Sequence, residues 1–241
     1  MGAIVWSEPA RQRVFEAWLA GLAQRYPLQI ESLRLASADA SFRRYFRLDA
    51  RAPGSGATSW IIMDAPPAHE NCQPFVTVAA LMRAAGLRVP QVLEWESQHG
   101  FLLLTDLGQQ TLLDVIDPAQ PQANLALYQQ ATDALLAWQL ASRPGLLPVY
   151  DAALLQRELA LFTEWYVARH RGYTLSPAQQ ATLEQAFALI VQHNLTSASV
   201  FVHRDFMPRN LMLPTTPAAA PAAAVGVLDF QDAVYGPISY D

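Results

Sequence analysis

With 241 residues, 52% of them hydrophobic, and a net charge of −5, the chain is long enough for one large domain or two small lobes around a sizeable core. Charged residues make up only 15% and no basic block occurs, which argues against a nucleic-acid partner. Arg, Gln, Asp or Pro interrupts every apolar run before it reaches the length of a membrane span, and the start at Met1 to Trp6 has no signal-peptide pattern. Cys72 is the only cysteine, so no intrachain disulfide can form; a reducing cytoplasm without membrane attachment is expected, with Cys72 a small core or loop residue. All 16 basic side chains are Arg. Beside the abundant Ala this reads as coding bias, yet it excludes a Walker A loop, a pyridoxal Schiff base and any catalytic lysine. G-x-S-x-G and G-x-G-x-x-G are absent too.

The first helix is expected from about Pro9 to Tyr26, with Ser7 as N-cap and Val14, Phe15, Trp18, Leu19 and Leu22 as its apolar stripe. Ser41 to Leu48 then alternates, with Phe42, Phe46 and Leu48 on one face and Arg43, Tyr45 and Arg47 on the other. Gly54-Ser55-Gly56 lies in a turn from Arg51 to Ser59, which leads into the apolar run Trp60 to Met63 and suggests an antiparallel hairpin. Phe75 to Ala85 predicts a helix closed by Gly86. Val89 to Trp95 and Phe101 to Leu104 predict two more strands, completing a small sheet with one helix packed on it.

Beyond Asp106-Leu107-Gly108 the pattern turns helical. Ala123 to Ala141 carries Leu125, Tyr128, Leu135, Leu136 and Leu140, and Asp151 to His170 is a second long helix. A third opens at Ser176-Pro177-Ala178-Gln179, which combines Ser at N-cap, Pro at N1 and Gln at N3, and it ends near His193-Asn194. Val200 to Val202, Leu211 to Leu213 and Val225 to Leu228 are short strand candidates. Between the last two, Pro214 to Ala224 is rich in Ala and Pro and reads as a mobile hairpin insertion. This order predicts an α+β chain of two lobes: residues 1–107 as a nucleotide-binding lobe with a small antiparallel sheet, and 108–241 as a mostly helical lobe.

The chemistry concentrates late in the chain. His203-Arg204-Asp205-Phe206-Met207-Pro208-Arg209-Asn210 matches H-R-D-x-x-x-x-N, the pattern of the kinase catalytic loop. Phosphoryl transfer needs a carboxylate to orient and deprotonate the attacking hydroxyl, and metal ligands that neutralise phosphate charge. Asp205 suits the first role. Asn210 can offer an amide oxygen to magnesium, which prefers oxygen ligands and keeps few from protein. Leu228-Asp229-Phe230-Gln231-Asp232 follows an apolar run where kinases carry D-F-G, making Asp229 the second metal ligand. ATP and Mg²⁺ are therefore the expected cosubstrate and cofactor. The plainer alternative has His203 and Asp205 capping a turn and Asp229 ending a strand.

Two further stretches are weaker. Thr105, Asp106 and Leu107 stand where kinases join their lobes, so their backbone groups are candidates to meet adenine. Ser37 to Ser41 is small and polar but lacks glycine, and Met63-Asp64 stands near the position of the missing third-strand lysine. Ser41 is a candidate phosphate contact, and Arg43 or Arg44 is a candidate to replace that lysine because guanidinium binds phosphate bidentately.

Taken together these segments resemble the aminoglycoside phosphotransferase-like kinase family, and within it the kinases of the cell-wall amino sugars N-acetylmuramate and N-acetylglucosamine. The resemblance is carried by Asp39 to Tyr45, Met63 to Pro67, Gly86 to Pro90, Phe101 to Leu104, Phe162 to Tyr166, His203 to Phe206 and Asp229 to Ala233, across nearly the whole chain. It implies a two-lobed protein-kinase-like fold and phosphate transfer to the anomeric hydroxyl of a small sugar, by a monomer. Glu158, Trp165, Arg169, His203, Arg209 and Asp232 are the residues expected near that sugar, with Arg169 or Arg209 a partner for the carboxylate of N-acetylmuramate. The family would continue with helices after Gly236 to Asp241, so the chain is expected to lack the end of the larger lobe. An antibiotic kinase of the same family and a nucleotide-binding module without catalysis stay open as alternatives.

Overall fold

Helix α1 (Pro9–Ala23) starts on a proline, whose missing N–H costs nothing at a helix start. Its N-cap is Glu8, with no side-chain bond, so Ser7 does not cap it; the helix also stops at Ala23, short of Tyr26. Phe15, Leu19 and Leu22 recur at helical spacing and are fully buried. In the computed structural model, which describes residues 4–38, 42–50, 58–213 and 225–241, that stripe lies against a five-stranded sheet. The strands are β1 (Leu28–Ala38), β2 (Arg44–Ala50), β3 (Thr58–Asp64), β4 (Val92–Glu96) and β5 (Phe101–Thr105), in the order β1-β2-β3-β5-β4, with every pairing antiparallel. Phe46, Leu48, Ile62, Phe101 and Leu103 meet α1, and each such buried side chain contributes roughly 1.5–3 kcal/mol.

The expected hairpin β2–β3 is present, with Phe46 and Leu48 inward as the alternation requires. Phe42 falls before the strand and stacks on His69 at 4.3 Å instead. Strand β1 was not anticipated: its pairing slips between Gln29 and Arg34 and between Leu35 and Ser37, which breaks the two-residue alternation. Ser41, the 51–57 turn and the 214–224 insertion lie outside the described residues.

Asp64 ends β3 opposite Arg44 and Phe101, with its side chain sealed from solvent. Arg11 of α1 binds Oδ1 through Nε at 2.9 Å and also reaches the His99 carbonyl at 2.8 Å. Arg44 binds Oδ2 through Nη2 at 2.5 Å, lies over the Trp6 ring at 4.1 Å and donates to the Val5 carbonyl at 3.0 Å. One carboxylate therefore ties α1, the residues before it, β2 and the β4–β5 turn together. At that turn Gly100 has φ +74°, and an added Cβ would stand 1.9 Å from the Ala65 carbonyl, so no other residue fits.

The chain packs as two compact units: residues 1–124 with 208–231, and residues 125–207 with 232–241. In the first unit, helix α2 (Gln73–Ala84) ends ahead of Gly86, whose φ is +84° as its C-cap role requires. The short antiparallel pair β7 (Leu211–Met212) and β8 (Gly226–Val227) hangs on that segment, since the Val227 amide donates to the Arg88 carbonyl at 2.8 Å and the Leu112 amide to the Leu211 carbonyl at 2.7 Å.

The second unit holds helices α3 (Leu125–Leu140), α4 (Ala152–Leu161) and α5 (Pro177–Thr196), and the strand pair β6 (Ser199–Val202) with β9 (Val234–Pro237). Asp151 caps α4 by accepting from the Leu154 amide, and the predicted Ser176–Gln179 capping box opens α5. Tyr150, Leu155, Val191, Val202 and Val234 form the core. The long helix expected to His170 changes form: Phe162–His170 is π-helical. The wider turn brings residues five apart together, and Arg169 pairs with Glu164 at 2.8 Å. No helix among the described residues is long and apolar enough to cross a membrane.

Asp64→Ala is expected to strand two partly buried guanidiniums and to cost about 3–5 kcal/mol, read from the urea midpoint of unfolding; a shift under about 1 kcal/mol would show that Asp64 does not organise this unit.

Candidate active site

Strand β6 leads directly into His203, which is fully buried. Its Nδ1 accepts the Asp205 amide at 3.2 Å, which places the ring proton on Nε2. The Asp241 carboxylate accepts the amides of His203 at 2.6 Å and Arg204 at 2.9 Å. Burial pushes the Asp241 carboxyl above its ordinary range, the neighbouring Asp205 charge adds to this, and those two amides oppose it. Arg204 itself has φ +80°; its guanidinium pairs with Glu158 of α4 and donates to the Asp232 carbonyl at 3.4 Å. The Tyr150 hydroxyl donates to the other Glu158 oxygen, and burial together with that bond pushes its pKa up. Asp205 thus sits in a loop whose flanking backbone and side chains are held from several sides.

The first unit carries the other half of the motif. Asn210 closes a 3-10 turn (Pro208–Asn210), and its carbonyl accepts the Leu228 amide at 2.9 Å. That bond sets Asn210 beside Asp229, their side chains 3.4 Å apart, while Gln231 Nε2 donates to the other Asp229 oxygen at 2.9 Å. Phe230 is fully buried against Phe75 of α2 at 4.9 Å. Among the described residues, Arg204 and Asp229 are the non-glycine residues with positive φ, at +80° and +61°. Such backbone costs about 1–3 kcal/mol per residue and persists where surrounding structure enforces it. Here the Asn210 amide nitrogen donates to Asp229 Oδ2; with the carboxamide turned over, its oxygen and the Asp229 carboxylate would suit magnesium, which takes oxygen ligands and retains several waters.

The predicted adenine segment is tied down in detail. The Thr105 amide donates to the Gln91 carbonyl at 3.0 Å, and the Asp106 carboxylate accepts Arg47 at 2.5 Å, Ser59 at 2.6 Å and the Gly108 amide at 2.9 Å. Burial works to raise the Asp106 pKa, but these donors outweigh it and hold the carboxyl below its ordinary range. Arg88 donates to the Leu107 carbonyl at 2.7 Å, while the Leu107 amide has no hydrogen-bond partner among the described residues. Arg88 was not singled out from the sequence as a site residue. Its neighbour in space, Gly226, is closely approached: a Cβ there would stand 2.8 Å from the end of the Leu107 side chain and 2.9 Å from the Arg88 guanidinium, so both would have to shift.

The remaining predicted residues scatter. Arg44 is committed to Asp64, whereas Arg43 pairs with Glu70 at 2.9 Å. Glu158 is engaged by Arg204 and Tyr150. Trp165 and Arg169 are exposed and occupied with each other, the guanidinium 3.9 Å above the indole. Arg209 and Asp232 are exposed. A cavity of about 680 Å³, lined by Phe162, Val167, Tyr173, Leu175 and Leu183 among others, includes none of the predicted site residues.

The family model of the phosphotransferase enzyme family matches residues 32–241. The N-acetylmuramate/N-acetylglucosamine kinase of Pseudomonas aeruginosa is 48% identical over 206 residues, covering 86% of this chain and 56% of that protein. The protein of the same description from Pseudomonas putida is 49% identical over 210 residues, covering 87% and 58%. The chain thus spans a little over half the length of these curated relatives. Among solved structures, the macrolide 2'-phosphotransferase MphH from Brachybacterium faecium superposes with a TM-score of 0.59 at 16% identity, over 94% of this chain and 75% of that one, a likeness of fold alone.

Asp106 is held below the pKa of about 3.9 that a carboxyl has in the unfolded chain. The stability it contributes is full above that value and is lost as pH falls through the lower folded-state value. Asp106→Asn is therefore expected to flatten the fall in urea midpoint below about pH 4; an unaltered acid limb would show that Asp106 contributes nothing to it.

Proposed function

The chain belongs to the phosphotransferase enzyme family, and from that premise we propose an ATP-dependent kinase that places the γ-phosphate on the anomeric hydroxyl of N-acetylmuramate or N-acetylglucosamine. One observation carries most of the weight. The two non-glycine residues with positive φ among the described residues fall in the two halves of the motif, and the second, Asp229, stands beside Asn210. Arg204 is not a residue type that favours this backbone, and both residues are held in it by bonds to their neighbours.

In this reading the Asp205 carboxylate accepts the proton of the sugar hydroxyl as its oxygen forms a bond to the γ-phosphorus. The bond from phosphorus to the bridging oxygen breaks, and ADP leaves. His203 holds the loop by accepting the Asp205 amide and, being buried, acts as a positioning group. The Asn210 amide oxygen and the Asp229 carboxylate would hold magnesium, which when bound neutralises phosphate charge. The Leu107 amide is a donor available to adenine, and Arg43 is the cation for the phosphates. Transfer from ATP, together with the single cysteine, fits a cytoplasmic enzyme. The acceptor identity rests on the relatives in Pseudomonas. A polycationic drug would need free acidic groups around Asp205, and Glu158 is already neutralised by Arg204.

The test incubates the protein with ATP, magnesium, both amino sugars and a panel of aminoglycosides, and locates the phosphate by ³¹P resonance. Anomeric sugar phosphate is expected; phosphate on a drug hydroxyl alone would overturn the acceptor assignment. Asp205→Ala should lower kcat by about 10²–10⁴-fold with nucleotide affinity kept. Asp229→Asn keeps a residue that tolerates positive φ, so it should melt within a few degrees of the parent yet lose most activity. Wild-type turnover in both variants would remove the proposed roles.

A further inference from the structure

The carboxylate that each arginine meets separates the candidates for phosphate contact. Arg44, Phe46 and Leu48 point to the side of β2 covered by α1: Arg44 lies over Trp6 and shares Asp64 with Arg11 of that helix. Within β2 alternation puts Tyr45 and Arg47 on the opposite side, and Arg43, which directly precedes the strand, meets Glu70 and not Asp64. Arg47 on that side reaches Asp106 and the Gly108 carbonyl at 2.7 Å, and so marks where the adenine segment crosses. Three residues of strand from Arg47 to Arg44 cover about 10 Å, and Arg43 stands one residue further on, a reach on the scale of an extended nucleoside triphosphate. Tyr45 pairs across to Met63, so Met63 shares this face; it is fully buried and brings no charge to the strand that carries the phosphate-binding lysine in kinases.

In kinases that lysine is held by a glutamate of the following helix. Here Glu70 stands just ahead of α2. Its Oε2 pairs with Arg43 at 2.9 Å and its Oε1 accepts the Phe42 amide at 3.2 Å, with the two charged side chains 10% and 12% exposed. The carboxylate thus holds both the guanidinium and the backbone that carries it. A buried glutamate doing both preorganises the cation, which spares ordering entropy when an anion binds.

We propose that Arg43 and Glu70 replace the lysine–glutamate pair: Arg43 contacts the ATP phosphates, and Glu70 is its positioning residue. This rests on the kinase reading above but not on which sugar is phosphorylated. Nucleotide affinity is measured by calorimetry with ADP and with the non-hydrolysable β,γ-imido analogue of ATP, beside thermal midpoints and KM values. Arg43→Ala is expected to weaken the ATP analogue about tenfold or more, with sugar KM moved less than about twofold, and Glu70→Gln to weaken it by less than Arg43→Ala. The exchange R43E/E70R remakes the ion pair with the charges reversed. It should recover the thermal midpoint lost in the single variants, while affinity stays at least about tenfold reduced. If the exchange restores affinity along with stability, or if Arg43→Ala leaves affinity within about twofold, the pair is structural only and the inference fails. A protein that binds nucleotide yet phosphorylates no amino sugar removes the acceptor assignment alone, and the affinity measurements still decide the pair.

Discussion

Two carboxylates sealed inside the first unit, Asp64 and Asp106, determine where its arginines can go. A buried carboxylate is tolerated only when paired and hydrogen-bonded, and in a chain without lysine the pairing falls to guanidinium. Asp64 takes Arg11 and Arg44, which knots α1 to the sheet; Asp106 takes Arg47, which pins the segment leaving β5. Arg88 completes the frame by bonding the Leu107 carbonyl at one end of a segment whose own carbonyl supports Val227 of β8. These bonds carry the hairpin that presents Asn210 and Asp229.

The same commitments explain how chemistry is apportioned. Arg11, Arg44 and Arg47 are consumed by carboxylates that solvent barely reaches, and what they stabilise is shape. Backbone energy follows a similar division. Ordinary turns of the chain place glycine at positive φ, as at Gly86 and Gly100, whereas Asp229 and Arg204 take that conformation with a side chain attached. The bonds around them, Gln231 to the Asp229 carboxylate and Glu158 to the Arg204 guanidinium, oppose its relaxation.

In the second unit Glu158 is the organising anion. It draws Arg204, Tyr150 and Tyr240 onto one helix position, and Asp241 holds the backbone on the opposite side of Arg204. The π-helical stretch beyond it shifts the register of the following turns. Trp165, Arg169 and Glu164 therefore form a cluster of their own.

Local pattern alone determined much of this. The alternation around Phe46 and Leu48, the Ser176 capping box, the glycine after α2 and the spacing from His203 to Asn210 each act within a few residues, so they were legible without the fold. What tertiary structure decided was everything that depends on long-range partners. Strand β1 exists because β2 offers an edge, despite a pairing too irregular to alternate, and β9 exists because Val202 sits opposite Val234. The sequence could name Arg43 and Arg44 as equals; only the fold separates them, since Asp64 takes Arg44 at the start of β2 while Arg43, just ahead of the strand, meets Glu70. Likewise nothing near Glu158 in the chain announces Arg204, which lies 46 residues on. Chemistry that is written in adjacent residues can be read in order, while pairing across a fold is settled by which charges are buried together.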